Sequence, residues 1–273
     1  MRKPIARFWI NAALLIGAVA TAFPLLWMIS VSFMPTGAAG HFPPPLLPEH
    51  PTLDNYRIMF ERHSAGRYLF NSALVATLAT LISLFFNTTA GYAFAKLRFP
   101  GRERIFRALL GALVIPGQVA MIPLFALVKE LGLVSTYGGV IVPAMASIFG
   151  IFLVRQYALS IPEDLLEAAR IDGASERRIF RSVVVPLLKP ILITLGILTF
   201  LGTWNDFMWP LIVLSDQKLY TLPVALAGLS REYVQDNELM MAGAVITVMP
   251  VLILFLALQR YYIAGILAGS VKG

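Results

Sequence analysis

Residues 68–95 read YLFNSALVATLATLISLFFNTTAGYAFA, a mostly apolar run longer than the roughly 20 residues a helix needs to cross a bilayer. In lipid a backbone must satisfy its own hydrogen bonds, so this run is predicted to be a spanning helix. Working outward, five further segments qualify: residues 8–33, 105–128, 138–154, 191–214 and 241–258, with 138–154 the shortest. The 273-residue chain is 58% hydrophobic and only 14% charged, whereas a soluble globular chain is about a quarter charged. The fold class that follows is an all-α membrane protein with about six transmembrane helices.

Lys and Arg in the connecting segments set the orientation. With the N-terminus cytoplasmic, sixteen of the 22 basic residues fall inside, among them Arg2, Lys3, Arg7, Lys96, Arg98, Arg102, Arg104, Arg107, Arg155 and Lys189. Six stay outside: Arg57, Arg62, Arg67, Lys129, Lys218 and Arg231. Both termini are therefore predicted to be cytoplasmic, and the net charge of +7 reflects topology rather than nucleic-acid binding. The first apolar run continues well past a signal-peptide core of ~7–15 residues and reads as an uncleaved anchor. Residues 1–67 then form an anchor helix plus a stiff, extended outside loop rich in proline (Pro43, Pro44, Pro45, Pro48, Pro51), and residues 68–273 form a five-helix core. The acceptor-like Asn87-Thr88-Thr89 lies inside a span and reads as a false glycosylation signal.

One inside segment, residues 155–190, is too patterned for a plain connector. Ser160-Ile161-Pro162-Glu163 has the spacing of a capping box, with Pro162 in the first turn. A helix through Leu165, Leu166, Glu167, Ala168, Ala169 and Arg170 is predicted to end at Asp172-Gly173, with Gly173 left-handed. Glu163, Glu167 and Arg170 share one face, and Leu165, Ala168 and Ala169 another. A second short helix over 176–184 is predicted to stop before Pro186. Two readings remain open from the pattern alone: an amphipathic connector on the membrane surface, or a docking site whose small Ala168/Ala169 face admits another body.

Glu167-Ala168-Ala169, Asp172-Gly173-Ala174, Phe180 and Val183-x-Val185-Pro186 resemble the EAA loop of binding-protein-dependent ABC importer permeases. That pattern is Glu-Ala-Ala, three residues, Gly, nine residues, then Ile-x-Leu-Pro; the spacing agrees, and Val183 and Val185 are the departures. Asn71-Ser72, Ile115-Pro116 and Trp204-Asn205-Asp206-Phe207 resemble the maltose-type carbohydrate subgroup (MalG-like inner-membrane components) across nearly the whole chain. The resemblance implies the ABC importer type I permease fold in a bacterial-type plasma (inner) membrane. It implies a sugar-importing permease subunit, with a second, different permease, two copies of a cytoplasmic ATPase and an extracytoplasmic sugar-binding protein as partners. The ATPase-coupling loop it implies contains Glu167, Ala168, Ala169, Asp172, Gly173, Ala174, Arg177, Phe180 and Pro186. The resemblance implies that ATP and magnesium sit on the partner ATPase; this chain has no Gly-x-x-x-x-Gly-Lys-Ser/Thr phosphate loop and is not expected to hydrolyse ATP itself. It is not expected to be an enzyme or to bind a cofactor or metal itself.

Several polar and aromatic residues of the spans are candidates for the pathway or a subunit interface: Asn71, Gln118, Trp204, Asn205, Asp206 and Phe207. Asp206 is the one acid read within a span, and such groups default to functional hypotheses; a hydrogen-bond clamp between helices accounts for it equally. Trp204 and Phe207 fit sugar stacking or membrane-interface anchoring. A proton-coupled secondary transporter using Asp206 is the alternative function, and an intramembrane enzyme lacks a catalytic constellation: there is no cysteine, and His41, His50 and His63 all lie outside. The central parts of the spans hold no Lys or Arg, which points to a neutral substrate, a mono-, di- or oligosaccharide.

Overall fold

The computed structural model describes residues 4–232 and 236–270, and among these all regular structure is helical. In chain order the helices are α1 (Pro4–Ser32), α2 (Asp54–Glu61), α3 (Ala65–Lys96), α4 (Arg102–Ala112), α5 (Gly117–Glu130), α6 (Tyr137–Ile141), α7 (Ile148–Leu159), α8 (Glu163–Ile171), α9 (Glu176–Ile179), α10 (Val185–Trp204), α11 (Met208–Val213), α12 (Leu222–Glu232) and α13 (Asn237–Ser270). Five stretches are long and apolar enough to cross a membrane: Arg7–Ser32, Ala65–Lys96, Tyr137–Leu159, Glu176–Trp204 and Asn237–Ala257. A sixth span is broken.

The span read over 105–128, with Pro116 and Pro123 interrupting it, is broken at the first of them: α4 and α5 meet at 107°. Pro116 has no N–H to continue the ladder and pushes the residue before it out of the helical region. The last turn of α4 tightens instead, with Val114 N–H donating to the Gly111 carbonyl at 3.3 Å and Ile115 N–H to Ala112 at 3.2 Å. Pro123 lies within α5 and does not interrupt it. The span expected over 191–214 likewise ends at Trp204, and Asp206 falls in the corner before α11.

Residues 1–69 and 222–252 form one compact unit, and residues 70–221 and 253–273 the other. The N-terminal segment read as separate thus shares a unit with 222–252. Glu238, 1% exposed, accepts the Ala39 N–H at 2.6 Å, and a Cβ on Gly243 would stand 3.2 Å from the Met59 side chain. The proline-rich loop is folded back on α1 rather than simply extended. Trp27 Nε1 donates to the Pro45 carbonyl at 3.4 Å, Ser30 to Leu46 at 2.6 Å, and Asn55 Nδ2 to Ser32 and Met34 at 3.0 and 2.8 Å.

In the second unit, α3 and α7 approach closely because Gly91 has no Cβ: an added one would lie 2.6 Å from Val154 Cβ. Asn87, fully buried, accepts the Ser147 N–H at 3.0 Å and donates to Ser83 at 2.8 Å, so it ties the entry of α7 to α3. The principal core joins α3, α7, α8, α9 and α10 around Val154, Ala158, Leu166, Ile179, Val184 and Leu188.

Candidate functional site

The loop between α7 and α10 is an ordered corner. Glu163 and Asp164 open α8 and Arg170 closes it, each charge opposing the helix dipole. Gly173 follows with φ +77°, the left-handed conformation expected of it. The Ala174 N–H donates to the Ala169 carbonyl and the Gly173 N–H to Arg170, both at 3.0 Å. That pair of bonds is the Schellman arrangement, which satisfies carbonyls otherwise left open at a helix end.

The capping box does not form. The Ser160 hydroxyl donates back to the Tyr157 carbonyl at 2.7 Å, closing α7, and Pro162 is the N-cap of α8 without a side-chain bond. Glu163 is drawn elsewhere: Lys96 Nζ lies 3.2 Å from its Oε2, and Arg170 Nη1 3.7 Å from its Oε1. Lys96 also donates to the Ile161 carbonyl at 2.6 Å. Across the corner, Arg170 Nε donates to Glu176 Oε1 at 2.8 Å and the Tyr92 hydroxyl to Glu176 Oε2 at 3.2 Å. The hydrogen bond to Glu176 raises the Arg170 pKa further above its ordinary value, keeping the pair ionised. Tyr92, Lys96 and Glu176, none of them singled out from the sequence, thus fasten the corner to the end of α3. Only Glu176 carried a local signal, as the acid opening a helix.

The second correction is to the stop before Pro186. Residues Phe180–Val184 form a π turn and α10 continues from Val185, so one uninterrupted helix runs over Glu176–Trp204. Pro186 sits in the first positions of α10. Its ring opposes an ordinary bond to the residue four back, and the wider π turn absorbs the mismatch.

Burial divides the loop residues into two sets. Leu166 and Ile179 are fully buried, each side chain worth about 1.5–3 kcal/mol, and Ala169, Ala174 and Phe180 pack partly against the same core. The Phe180 ring lies 5.1 Å from Tyr92. Glu167, Ala168, Asp172, Gly173, Arg177 and Pro186 are exposed, and beside them Leu165 and Ile171 are 44% and 86% exposed. The structure therefore splits Ala168 from Ala169: the outward face is Leu165, Ala168 and Ile171 rimmed by charge.

The span candidates are scattered rather than gathered into one site. Asn71, 1% exposed, donates to the Lys218 and Tyr220 carbonyls at 2.9 Å each and accepts the Tyr137 hydroxyl at 2.7 Å, a satisfied clamp. Asp206 Oδ1 accepts the Trp209 N–H at 3.3 Å in the first turn of α11. Asn205 Nδ2 donates to the Leu201 carbonyl at 2.9 Å and is exposed, Phe207 is half-buried, and Trp204 is buried in a stack with Phe200 at 5.7 Å. Gln118 is exposed just after the α4–α5 break, among the exposed Val114, Ile115, Val119 and Ile122.

A helical, multi-pass membrane architecture with an outward corner on its basic side defines the class, and comparison with other proteins places it. The chain belongs to the family of binding-protein-dependent transport system inner membrane components, whose model matches residues 87–267. It is 40% identical over 280 residues to the arabinooligosaccharides transport system permease protein AraQ of Halalkalibacterium halodurans, covering 99% of this chain and 98% of that one. It is 36% identical over 231 residues to the melibiose/raffinose/stachyose import permease protein MelC of Bacillus subtilis, 84% of each chain. A chain in the crystal structure of a bacterial ABC transporter involved in import of the acidic polysaccharide alginate superposes with a TM-score of 0.84 at 26% identity, over 96% of this chain and 98% of that chain. The chain is thus a multi-pass inner-membrane transport component of the ABC importer type, and nothing found supports the proton-coupled alternative.

Proposed function

We propose that this chain is one transmembrane permease of an ATP-driven importer of neutral sugars, and that residues 167–173 dock on a cytoplasmic ATPase. The similarity over nearly the full length to an arabinooligosaccharide permease carries the sugar reading. The loop geometry supports the docking. A push on α8 is passed to α9 by the Leu166–Ile179 core and the Arg170–Glu176 bond, and α9 is continuous with a spanning helix that ends at Trp204. Closure of two ATPase copies would tilt this helix as a lever and switch the cavity from inward-open to outward-open. ATP and magnesium stay on those subunits, and an extracytoplasmic binding protein delivers the sugar. A second, different permease completes the pathway and stands against the exposed apolar surfaces of this one.

Asp206 is engaged at the start of α11, which fits a structural role better than proton coupling. Neutrality of the substrate is the reading that charge supports: an anion crossing a low-dielectric cavity needs a cation, and the apolar stretch 191–204 of the lever helix holds none, Lys189 standing before it. The test is an ATPase assay of the purified complex with its binding protein and a saccharide panel. Stimulation by neutral oligosaccharides is expected. Stimulation by glycerol phosphate with no response to neutral sugars would refute the proposal.

A further inference from the structure

We propose that the turn joining α3 to α4 is a binding site for the phosphate headgroup of an anionic phospholipid. Arg98, Arg102, Arg104 and Arg107 surround a concave space of about 720 Å3 there, together with Phe99, Gly101 and Glu103. Four guanidinium groups face a single carboxylate, and that carboxylate is already engaged. Glu103 Oε1 lies 3.4 Å from Arg102 and 3.2 Å from Arg155, and Arg155 is held from behind, over the Phe106 ring at 4.1 Å and by a 3.2 Å bond to the Phe94 carbonyl. Arg102 also donates to the Leu97 carbonyl at 3.1 Å, and Arg107 Nε to the Glu103 carbonyl at 3.3 Å. Arg98 and Arg104 make no ion pair among the described residues. The space is therefore strongly cationic, and guanidinium forks match phosphate oxygens in geometry as well as in charge.

Position selects a lipid over a soluble anion. The cluster begins two residues after Lys96, the last residue of a spanning helix, so it stands at headgroup depth. Gly101, at φ +80°, turns the chain sharply beside the space. Apolar surface leads away from the cluster toward the membrane: Ile105 is 48% exposed, Leu113 47%, Val114 83% and Ile115 58%. A headgroup in the arginine pocket would lay its acyl chains along this ledge, up to the α4–α5 break. Basic pockets between spanning helices favour such headgroups, because the surface attraction of each cation adds to the hydrophobic insertion of the chains.

The test is lipid retention by the whole purified complex in detergent, read by native mass spectrometry. Phosphatidylglycerol and phosphatidylcholine of identical acyl chains are titrated in parallel, and inorganic phosphate is used as a competitor. Wild type is expected to retain phosphatidylglycerol in preference. Arg98→Gln/Arg104→Gln should weaken it by roughly thirtyfold, about fivefold per arginine, and Lys189→Gln should leave it unchanged. Arg107→Gln alone, expected to cost about fivefold, serves if the double variant does not assemble. Equal retention of the two lipids would overturn the site. So would retention unchanged in every arginine variant, or an equal loss in Lys189→Gln, which would indicate only a diffuse field. Displacement of the lipid by millimolar phosphate would reassign the pocket to a soluble anion. Loss of the ATPase subunit from the arginine variants with lipid retention intact would reassign it to a subunit contact. None of these outcomes depends on which substrate is carried.

Discussion

Gly173 offers the sharpest test of the coupling corner, because beyond its two chain neighbours no atom of the protein lies within 4 Å of where its Cβ would be. Within this chain, any effect of substitution must then come from backbone conformation and not from a clash, and the graded series Asn, Ala, Pro separates that from contact with the docked ATPase. At φ +77°, alanine costs about 1–2 kcal/mol relative to glycine. This lowers the equilibrium constant for the native corner roughly five- to thirtyfold. Asparagine tolerates the left-handed region better and should cost less. Proline is confined near φ −65° and lacks the N–H that bonds Arg170 at 3.0 Å, so its cost is about 3 kcal/mol or more and the corner does not form. The corner is exposed while Leu166 and Ile179 stay buried, so all three variants should reach the membrane at wild-type levels. Vesicle uptake and binding-protein-stimulated ATPase, both normalised to membrane level, should fall in the order Gly, Asn, Ala, Pro, with uptake abolished in Gly173→Pro. Wild-type uptake by Gly173→Pro at a normal level, or a loss in Asn as severe as in Pro, would show that the corner's shape is not what couples.

Gly91→Leu should reduce membrane abundance and lower the detergent Tm by an amount matching about 3 kcal/mol or more, because even a Cβ meets Val154 at 2.6 Å; an unchanged Tm would contradict the α3–α7 crossing. Asp206→Asn should keep uptake within about twofold, since an amide oxygen still accepts the Trp209 N–H, whereas Asp206→Ala should lose about 0.5–2 kcal/mol of stability; protonophore-sensitive uptake lost in Asp206→Asn would point to proton coupling. Cysteine at Ser64 should react with an impermeant thiol reagent added outside intact cells, and cysteine at Ser175 should not. Both positions are exposed and the chain has no thiol of its own, so outside labelling of Ser175→Cys would invert the topology.

The sequence by itself determined what depends on neighbours along the chain. Twenty or so apolar residues in succession spell a spanning helix, since the cost of unpaired backbone in lipid leaves no other solution. Gly173 was legible as a left-handed helix end because only a residue without a Cβ takes that conformation freely. The family spacing of 167–186 was legible because it lies along one continuous stretch of chain. What only the tertiary structure decided was the choice among partners. Glu163 had a local serine within capping distance, yet it pairs with Lys96 from α3 and Arg170. Asn71 and Asp206 looked alike as polar groups in apolar runs, but one clamps carbonyls nearly 150 residues away and the other holds the first turn of a short helix beside it. The prolines were equally ambiguous: Pro116 breaks a span by 107°, while Pro186 is carried through by a π turn. A hydrogen-bonding group is written into the chain as a residue type, but its partner is selected by which helices the packing brings within 3 Å, and no spacing along the sequence records that distance.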